Sequence, residues 1–307
     1  MKKIFIDGYA GTTGLKIYER LSSRKDIQLL TLTEETRKDI NARRDALNNS
    51  DISFLCLPDD AAKESVSLIT NADTAIIDTS TAHRVNPEWV YGLPELKGQR
   101  DKIRTSKRVA NPGCHATGFI VLIAPLVQAG LLGNDAKLSC FSLTGYSGGG
   151  KKMIAEYEAS GRDTLLDAPR QYGITQKHKH LPEMAEVCGL KYSPVFCPIV
   201  APYYAGMEVT VTLHGSDINA DIKTLKELYA DYYHDGVIHF TDGGAEGGFI
   251  SAGAFAGRDD LEVSVQGNDE RILLVSRFDN LGKGASGAAI QNMNILLGLD
   301  ETTGLTL

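Results

Sequence analysis

The sequence predicts an α/β domain followed by an α+β domain, and two observations carry that expectation. Over the first hundred residues short β-rich runs alternate with amphipathic helical stretches, whereas from Ala136 onward longer strand-like runs dominate. Strands alternating with helices of this length give a parallel sheet covered on both faces, and successive long strands pair largely antiparallel. Taken in order, strands are expected over 3–7, 27–31, 52–57 and 74–78, with helices over 11–22, 35–48 and 59–69, which is βαβαβαβ. Ligands of such a sheet sit outside the carboxyl ends of its strands. Apolar spacing then predicts a helix over 116–128. Strands over 137–144, 193–201, 207–214, 261–266 and 272–278, with a helix over 220–232, make the second region. A last helical stretch over 286–297 is expected to pack back on the first domain.

Composition bounds the function. The chain has 307 residues, 42% of them hydrophobic and 23% charged, which is globular and long enough for two cores. The net charge of −7, with no basic run to track phosphates, excludes nucleic acid as an expected partner. The most apolar run, over 119–127, is too short for a bilayer span, so no membrane partner is expected either. The opening Met1-Lys2-Lys3-Ile4-Phe5 is basic then apolar, but Asp7 and Gly8 cut it short, so a cytoplasmic location is expected. Five scattered cysteines without a Cys-x-x-Cys pair argue against disulfides and against a zinc cage.

Three segments carry chemistry. Gly8-Tyr9-Ala10-Gly11-Thr12-Thr13-Gly14 follows the first strand and opens the first helix, where glycines let backbone approach a pyrophosphate on the helix N-terminus. After the second strand no acid precedes Glu34; Thr31 and Thr33 are followed by Arg37 and Lys38, which favours a 2′-phosphate and hence NADP(H) over NAD. The second segment is Asn111-Pro112-Gly113-Cys114-His115-Ala116-Thr117: the Pro-Gly bend places Cys114 at a helix start, where the dipole stabilises a thiolate. Cys56 and Cys140, inside β runs, read as small buried hydrophobes. The third is His178-Lys179-His180-Leu181-Pro182-Glu183, whose two histidines would share one face of an extended segment and supply a base. No further ligands at metal spacing accompany them, so no metal is expected. His83, His214, His234 and His239 read as surface or turn residues, and Tyr146–Lys152 as either an anion-binding loop or a connector.

Four motifs in order, Tyr-Gly-Leu-Pro-Glu at 91–95, Asn-Pro-Gly-Cys-x-x-Thr at 111–117, His-x-His-x-Pro-Glu at 178–183 and Lys-Gly-Ala at 283–285 followed by Gln291-Asn292-Met293-Asn294, resemble the short subtype of the N-acetyl-γ-glutamyl-phosphate reductase family of arginine biosynthesis. The resemblance implies an α/β Rossmann domain over 1–112, completed by the C-terminal helix 284–307, and an α+β catalytic domain over 113–283, an aspartate-semialdehyde-dehydrogenase-like architecture. It implies an NADPH-dependent reduction of an acyl phosphate through a cysteine thioester, in a homo-oligomer. Cys114 matches the nucleophile, and His178 and His180 the acid–base segment, with His180 favoured for the role. Gly8, Gly11, Thr12, Thr13 and Gly14, with Thr31, Thr33 and Arg37, are expected at the cofactor; Ser147, Gly148, Gly284, Ala285 and Asn292 match positions near cofactor or substrate. Arg84, Asn111 and Lys151 are expected to bind substrate, and a protonated histidine with the Cys114 N–H to hold the oxyanion. Leu181 stands where the longer subtype has Thr, and Lys151 where it tends to have Arg.

The alternatives share this chemistry or lack it. An aspartate-semialdehyde dehydrogenase usually has Asn before its cysteine, where Gly113 stands here. A carrier-linked aminoadipyl-phosphate reductase would need a surface for an acidic carrier, and a non-catalytic dinucleotide sensor would not need both the cysteine and the histidine motif.

Overall fold

The computed structural model describes residues 1–307, which divide into one unit of Met1–Pro112 with Ala285–Leu305 and another of Gly113–Gly284 with Thr306–Leu307. The first unit opens β1 (Lys2–Asp7), α1 (Thr12–Ser22), β2 (Ile27–Leu30), α2 (Ile40–Asn49), β3 (Ile52–Leu55), α3 (Asp59–Ser67) and β4 (Ala75–Asp78). Its 6-stranded sheet is completed by β5 (Val90–Tyr91) and β6 (Arg108–Ala110), with α4 (Gln99–Thr105) between them, in the order β2-β1-β3-β4-β6-β5. Every pairing is parallel. Successive side chains of β1 serve opposite faces: Ile4 and Ile6 join Ile17, Phe54 and Ile77 on one side, while Phe5 joins Leu47, Leu55 and Ile76 on the other. Burial on both faces is why these strands read as unbroken apolar runs.

One boundary differs by more than two residues. The helix expected from residue 35 begins at Ile40, because the Asp39 carboxylate accepts from the N–H groups of Asn41 and Ala42 at 3.0 and 2.8 Å and caps the helix there. Residues 33–37 form a separate turn, with Arg37 N–H on the Thr33 carbonyl at 2.8 Å.

The second unit is built around α5 (Cys114–Gln128), of which all but the ends are buried. Its 7-stranded sheet contains β7 (Ser139–Gly145), β8 (Arg170–Gln171), β9 (Val195–Ala201), β10 (Met207–His214), β11 (Ile238–Phe240), β12 (Leu261–Gly267) and β13 (Arg271–Phe278), in the order β11-β12-β13-β10-β7-β9-β8. β7 and β9, and β11 and β12, are parallel; the remaining pairs are antiparallel. Helices α6 (Gly150–Glu158), α7 (Leu181–Cys188) and α8 (Ile222–Tyr232) complete the unit.

Helix α5 lies close on its sheet: a Cβ at Gly118 would come 2.4 Å from Val209 Cγ2. Pro125 inside the helix has no N–H for the Val121 carbonyl, and the Tyr233 hydroxyl donates to that carbonyl instead at 2.8 Å. The Tyr229 hydroxyl donates to Leu122 and the Ser276 hydroxyl to Gly118, so the carbonyls of this buried helix are met from outside it. The sheet's other face is partly apolar and open, with Val195 58%, Phe141 42% and Leu273 39% exposed.

The chain returns to the first unit through α9 (Gly287–Leu297), whose Ile290 and Met293 pack with Ile4, Ile6 and Ile77.

Candidate active site

In the first unit the turn from β1 to α1 is a glycine cradle. Gly8 has φ +88°, and a Cβ there would lie 2.4 Å from the Cys56 carbonyl oxygen; at Gly14 it would lie 2.5 Å from that of Gly8. Both glycines are required by the fold. A Cβ at Gly11 meets nothing closer than 3.4 Å, so the protein itself does not demand a glycine there, whereas a ligand approaching the backbone would. Gly11 is the N-cap of α1 with no side-chain cap, and Thr12 and Thr13 form the helix's bare first turn, with no acid in it. These residues fit a dinucleotide pyrophosphate.

Beside the cradle is a cavity of about 240 Å³ lined by Gly8, Tyr9, Leu32, Arg37, Lys38 and Arg43, among others. Of the residues expected at a 2′-phosphate it gathers Arg37, with Lys38; Leu32, and not Thr31 or Thr33, faces it. Thr33 is engaged in its own turn with Thr36. Arg37 bonds Glu34 at 2.6 Å, and that bond, with one from the Tyr9 hydroxyl, lowers the Glu34 carboxyl below its usual range. Arg43, which sequence reasoning missed, is buried under the cavity on Asp7, Glu64 and Ser65.

Arg84 and Asn111 hold backbone in the same unit. Arg84 donates from Nε to the Asn111 carbonyl and from Nη2 to that of Thr79, both at 3.0 Å. The Asn111 side chain donates to the Ala285 carbonyl at 3.0 Å and accepts from Asn292 Nδ2 at 3.3 Å. Asn292 also donates to the Gly92 carbonyl at 2.8 Å, and its buried Oδ1 has no protein partner. His83, read as a surface or turn residue, lies in a turn but is buried there: Asp78 takes its Nδ1 at 2.6 Å and Trp89 stacks on its ring at 4.1 Å.

In the second unit Cys114 is the first residue of α5 behind the Gly113 N-cap, with no side chain capping the helix. The Gly113 N–H donates to the buried Glu183 carboxylate at 2.8 Å, which fixes the approach to the cysteine. Gly284 packs against it, since a Cβ there would lie 2.9 Å from Cys114 Cβ. The two motif histidines meet, but not along an extended segment as expected. The chain turns before α7, His180 becomes its N-cap ahead of Pro182, and the rings touch edge to face at 4.8 Å. His178 Nδ1 accepts from the His180 N–H at 3.2 Å. His115, directly after the cysteine, lies 5.6 Å from both rings and was not foreseen. Burial pushes its pKa down to about 3, and burial, then the Lys179 charge, lowers that of His178. Both rings are thus held toward the neutral form.

The remaining expected residues lie elsewhere in that unit. Ser147 is buried in a 3₁₀ turn, Tyr146–Gly149, and accepts from Asn280 Nδ2 at 2.9 Å; Gly148 shares the turn. Lys151 is exposed in the first turn of α6. No group of three or more His, Cys, Asp or Glu is arranged to hold a metal ion.

Comparison with known proteins decides the family. Residues 3–106 match the family model described as semialdehyde dehydrogenase, NAD binding domain, and residues 114–280 that described as semialdehyde dehydrogenase, dimerisation domain. The chain is 43% identical to N-acetyl-γ-glutamyl-phosphate reductase 2 of a Nostoc species, covering 99% of each chain. It is 44% identical to N-acetyl-γ-glutamyl-phosphate reductase of Sinorhizobium medicae, over 96% of this chain and 98% of that one. The chain belongs to the N-acetyl-γ-glutamyl-phosphate reductase family. Among solved structures, aspartate semialdehyde dehydrogenase II of Vibrio cholerae aligns with TM-score 0.71 at 16% identity, over 97% of this chain and 98% of that one. The aspartate semialdehyde dehydrogenase of Candida albicans aligns with TM-score 0.67 at 17% identity, over 97% and 98%. These likenesses show that this chain shares its fold with those two aspartate semialdehyde dehydrogenases. The first unit is accordingly an NAD(P)-binding Rossmann domain, and no helix of the chain is long and apolar enough to cross a membrane.

Proposed function

We propose that this family member reduces N-acetyl-γ-glutamyl phosphate to N-acetylglutamate 5-semialdehyde with NADPH, through a thioester on Cys114. The reading is carried by the placement of Cys114 at the bare start of α5 in a chain that aligns end to end with relatives bearing that name. The Cys114 thiol passes its proton to His180, and the sulfur attacks the acyl carbon. The carbon–oxygen bond to phosphate breaks, and His180 returns the proton to the departing phosphate. When bound, NADPH supplies the hydride that reduces the thioester. The carbon–sulfur bond then breaks, the sulfur leaves as thiolate and the aldehyde is released. The N–H groups at the start of α5, which no N-cap side chain covers, stabilise the oxyanion, and His178 supports His180 through its backbone N–H.

Gly8, Gly11, Thr12, Thr13 and Gly14 are assigned to the pyrophosphate, and Arg37, with Lys38, to the 2′-phosphate. Ser147, Gly148, Gly284 and Ala285 keep the assignment that the resemblance gave them, and the open acceptor of Asn292 suits an amide donor. Arg84 and Asn111, whose donors hold backbone, keep their substrate assignment through the turn they brace, and Lys151 through its free position on α6. The open apolar face of the seven-stranded sheet is assigned to self-association. The same reading places the enzyme in the cytoplasm, in keeping with five cysteines that form no disulfide.

The test is the reverse reaction with phosphate and NADP. N-acetylglutamate semialdehyde should be oxidised far faster than aspartate semialdehyde, and comparable kcat/KM values would overturn the substrate. Cys114→Ser should abolish turnover while cofactor binding persists. NADPH should bind more tightly than NADH by calorimetry, and Arg37→Ala should weaken NADPH alone.

A further inference from the structure

Beside the glycine cradle, both oxygens of one exposed carboxylate are engaged by the protein. Glu34 stands just past the end of β2, in the turn over 33–37, and is the first acid after that strand. An acid near this point of a dinucleotide-binding sheet ordinarily accepts from the ribose hydroxyls. Here Glu34 Oε1 accepts from the Tyr9 hydroxyl at 3.0 Å and Oε2 from Arg37 Nε at 2.6 Å. Tyr9 belongs to the cradle itself, directly after Gly8, and the turn that carries Arg37 is closed by its N–H on the Thr33 carbonyl at 2.8 Å. The carboxylate thus joins the pyrophosphate turn to the arginine assigned to the 2′-phosphate.

What these bonds leave free decides their use. Glu34 takes only the Nε–H of Arg37, whose Nη1 and Nη2 bond no protein acceptor although the residue lines the cavity of about 240 Å³ together with Lys38. Held by Nε, the rigid guanidinium plane cannot turn about its stem, and its Nη edge is left for an anion. Two-pronged contact is how a guanidinium recognises phosphate. The Glu34 charge by itself opposes a phosphate. With 64% of its side chain exposed that repulsion is screened by water, while the hydrogen bond acts on the arginine directly.

We propose that Glu34 is a positioning residue that sets the cofactor preference: it holds Arg37 by Nε so that the Nη edge meets a 2′-phosphate, while its own oxygens, both engaged, are withheld from the ribose of NADH. This role rests on the 2′-phosphate lying at Arg37, which Arg37→Ala tests separately, and it can be read without turnover.

The measurement is calorimetric titration of the full-length protein with NADPH and with NADH, each variant set against the parent. Glu34→Ala should weaken NADPH about tenfold and leave NADH unchanged. Glu34→Gln, whose amide oxygen still accepts from Arg37 Nε, should stay within about twofold of the parent for both. In an Arg37→Ala background Glu34→Ala should weaken NADPH no further, because the glutamate acts through the arginine. Tighter NADPH binding in both Glu34 variants would make the residue a mere counter-charge and overturn the proposal. NADPH binding unmoved by Glu34→Ala overturns it too, as does a loss shared equally by NADH, which would mark a role in the turn alone. An Arg37→Ala variant that binds both dinucleotides as the parent does would instead overturn the 2′-phosphate site, and the proposal with it.

Discussion

His115 and His178 lie with their rings 5.6 Å apart and are both held toward the neutral form, His115 the more strongly. For His115 the unfolded chain binds a proton near pH 6.5 and the folded chain only near 3, so between those values the unfolded state holds more protons. Stability from this group is therefore complete above pH 6.5 and falls as the pH drops, by up to about 1.4 kcal/mol per unit. Melting temperatures from pH 7 to 4 should fall less steeply in His115→Gln, which cannot take up the proton. Parallel curves would show that the buried ring is not the source of acid sensitivity. At this scale the sequence displayed Cys114 because its bend and helix start are local. Tyr172 is 57 residues from the histidine it bonds and Glu183 is 70 from Gly113, so no spacing pattern could join them.

Among the elements, the β1–α1 turn separates a glycine kept by the fold from one kept for a ligand. Gly8→Ala combines φ +88° with a collision on backbone and should destabilise by about 1–3 kcal/mol or prevent folding. Gly11→Ala should leave the melting temperature nearly unchanged and weaken dinucleotide binding. Equal losses of stability would remove the argument for a ligand at Gly11. In α5, Tyr233→Phe leaves the Val121 carbonyl without its donor and should cost about 1–3 kcal/mol in urea unfolding. In a Pro125→Ala background the restored N–H should reduce that cost. Helices and strands with a long apolar period were legible, as the coincidence of the expected and observed 207–214 strand shows. A two-residue strand such as β5 has no period to read, and the start of α2 was set by one side chain, Asp39, which a hydrophobic pattern does not register.

For the molecule as a whole, the open face of the seven-stranded sheet brings Phe141 beside Cys197 and Thr210 in register, with Leu273 opposite Thr212. Exposed apolar side chains in a row on one face are where a second copy would gain most from excluding water. Phe141→Asp should lower the molar mass measured by sedimentation at micromolar concentration while the far-ultraviolet spectrum stays unchanged. An unaltered mass would place any assembly elsewhere. This face was invisible in the sequence, because an alternating strand looks the same whether its second face meets water or another subunit.

Helix α9 supplies Ile290 and Met293 to a core whose other members, Ile4, Ile6 and Ile77, come from the start of the chain. Synthesis runs from the amino end at about 5–20 residues per second. The first sheet therefore emerges from the ribosome roughly 200 residues before the helix that covers one of its faces, whereas residues 113–284 are contiguous and are made without interruption. During those tens of seconds the nascent sheet carries bare apolar surface. The order in which this protein is made is thus the reverse of the order in which its units can be finished, and the early unit is the one with apolar surface uncovered in the interval.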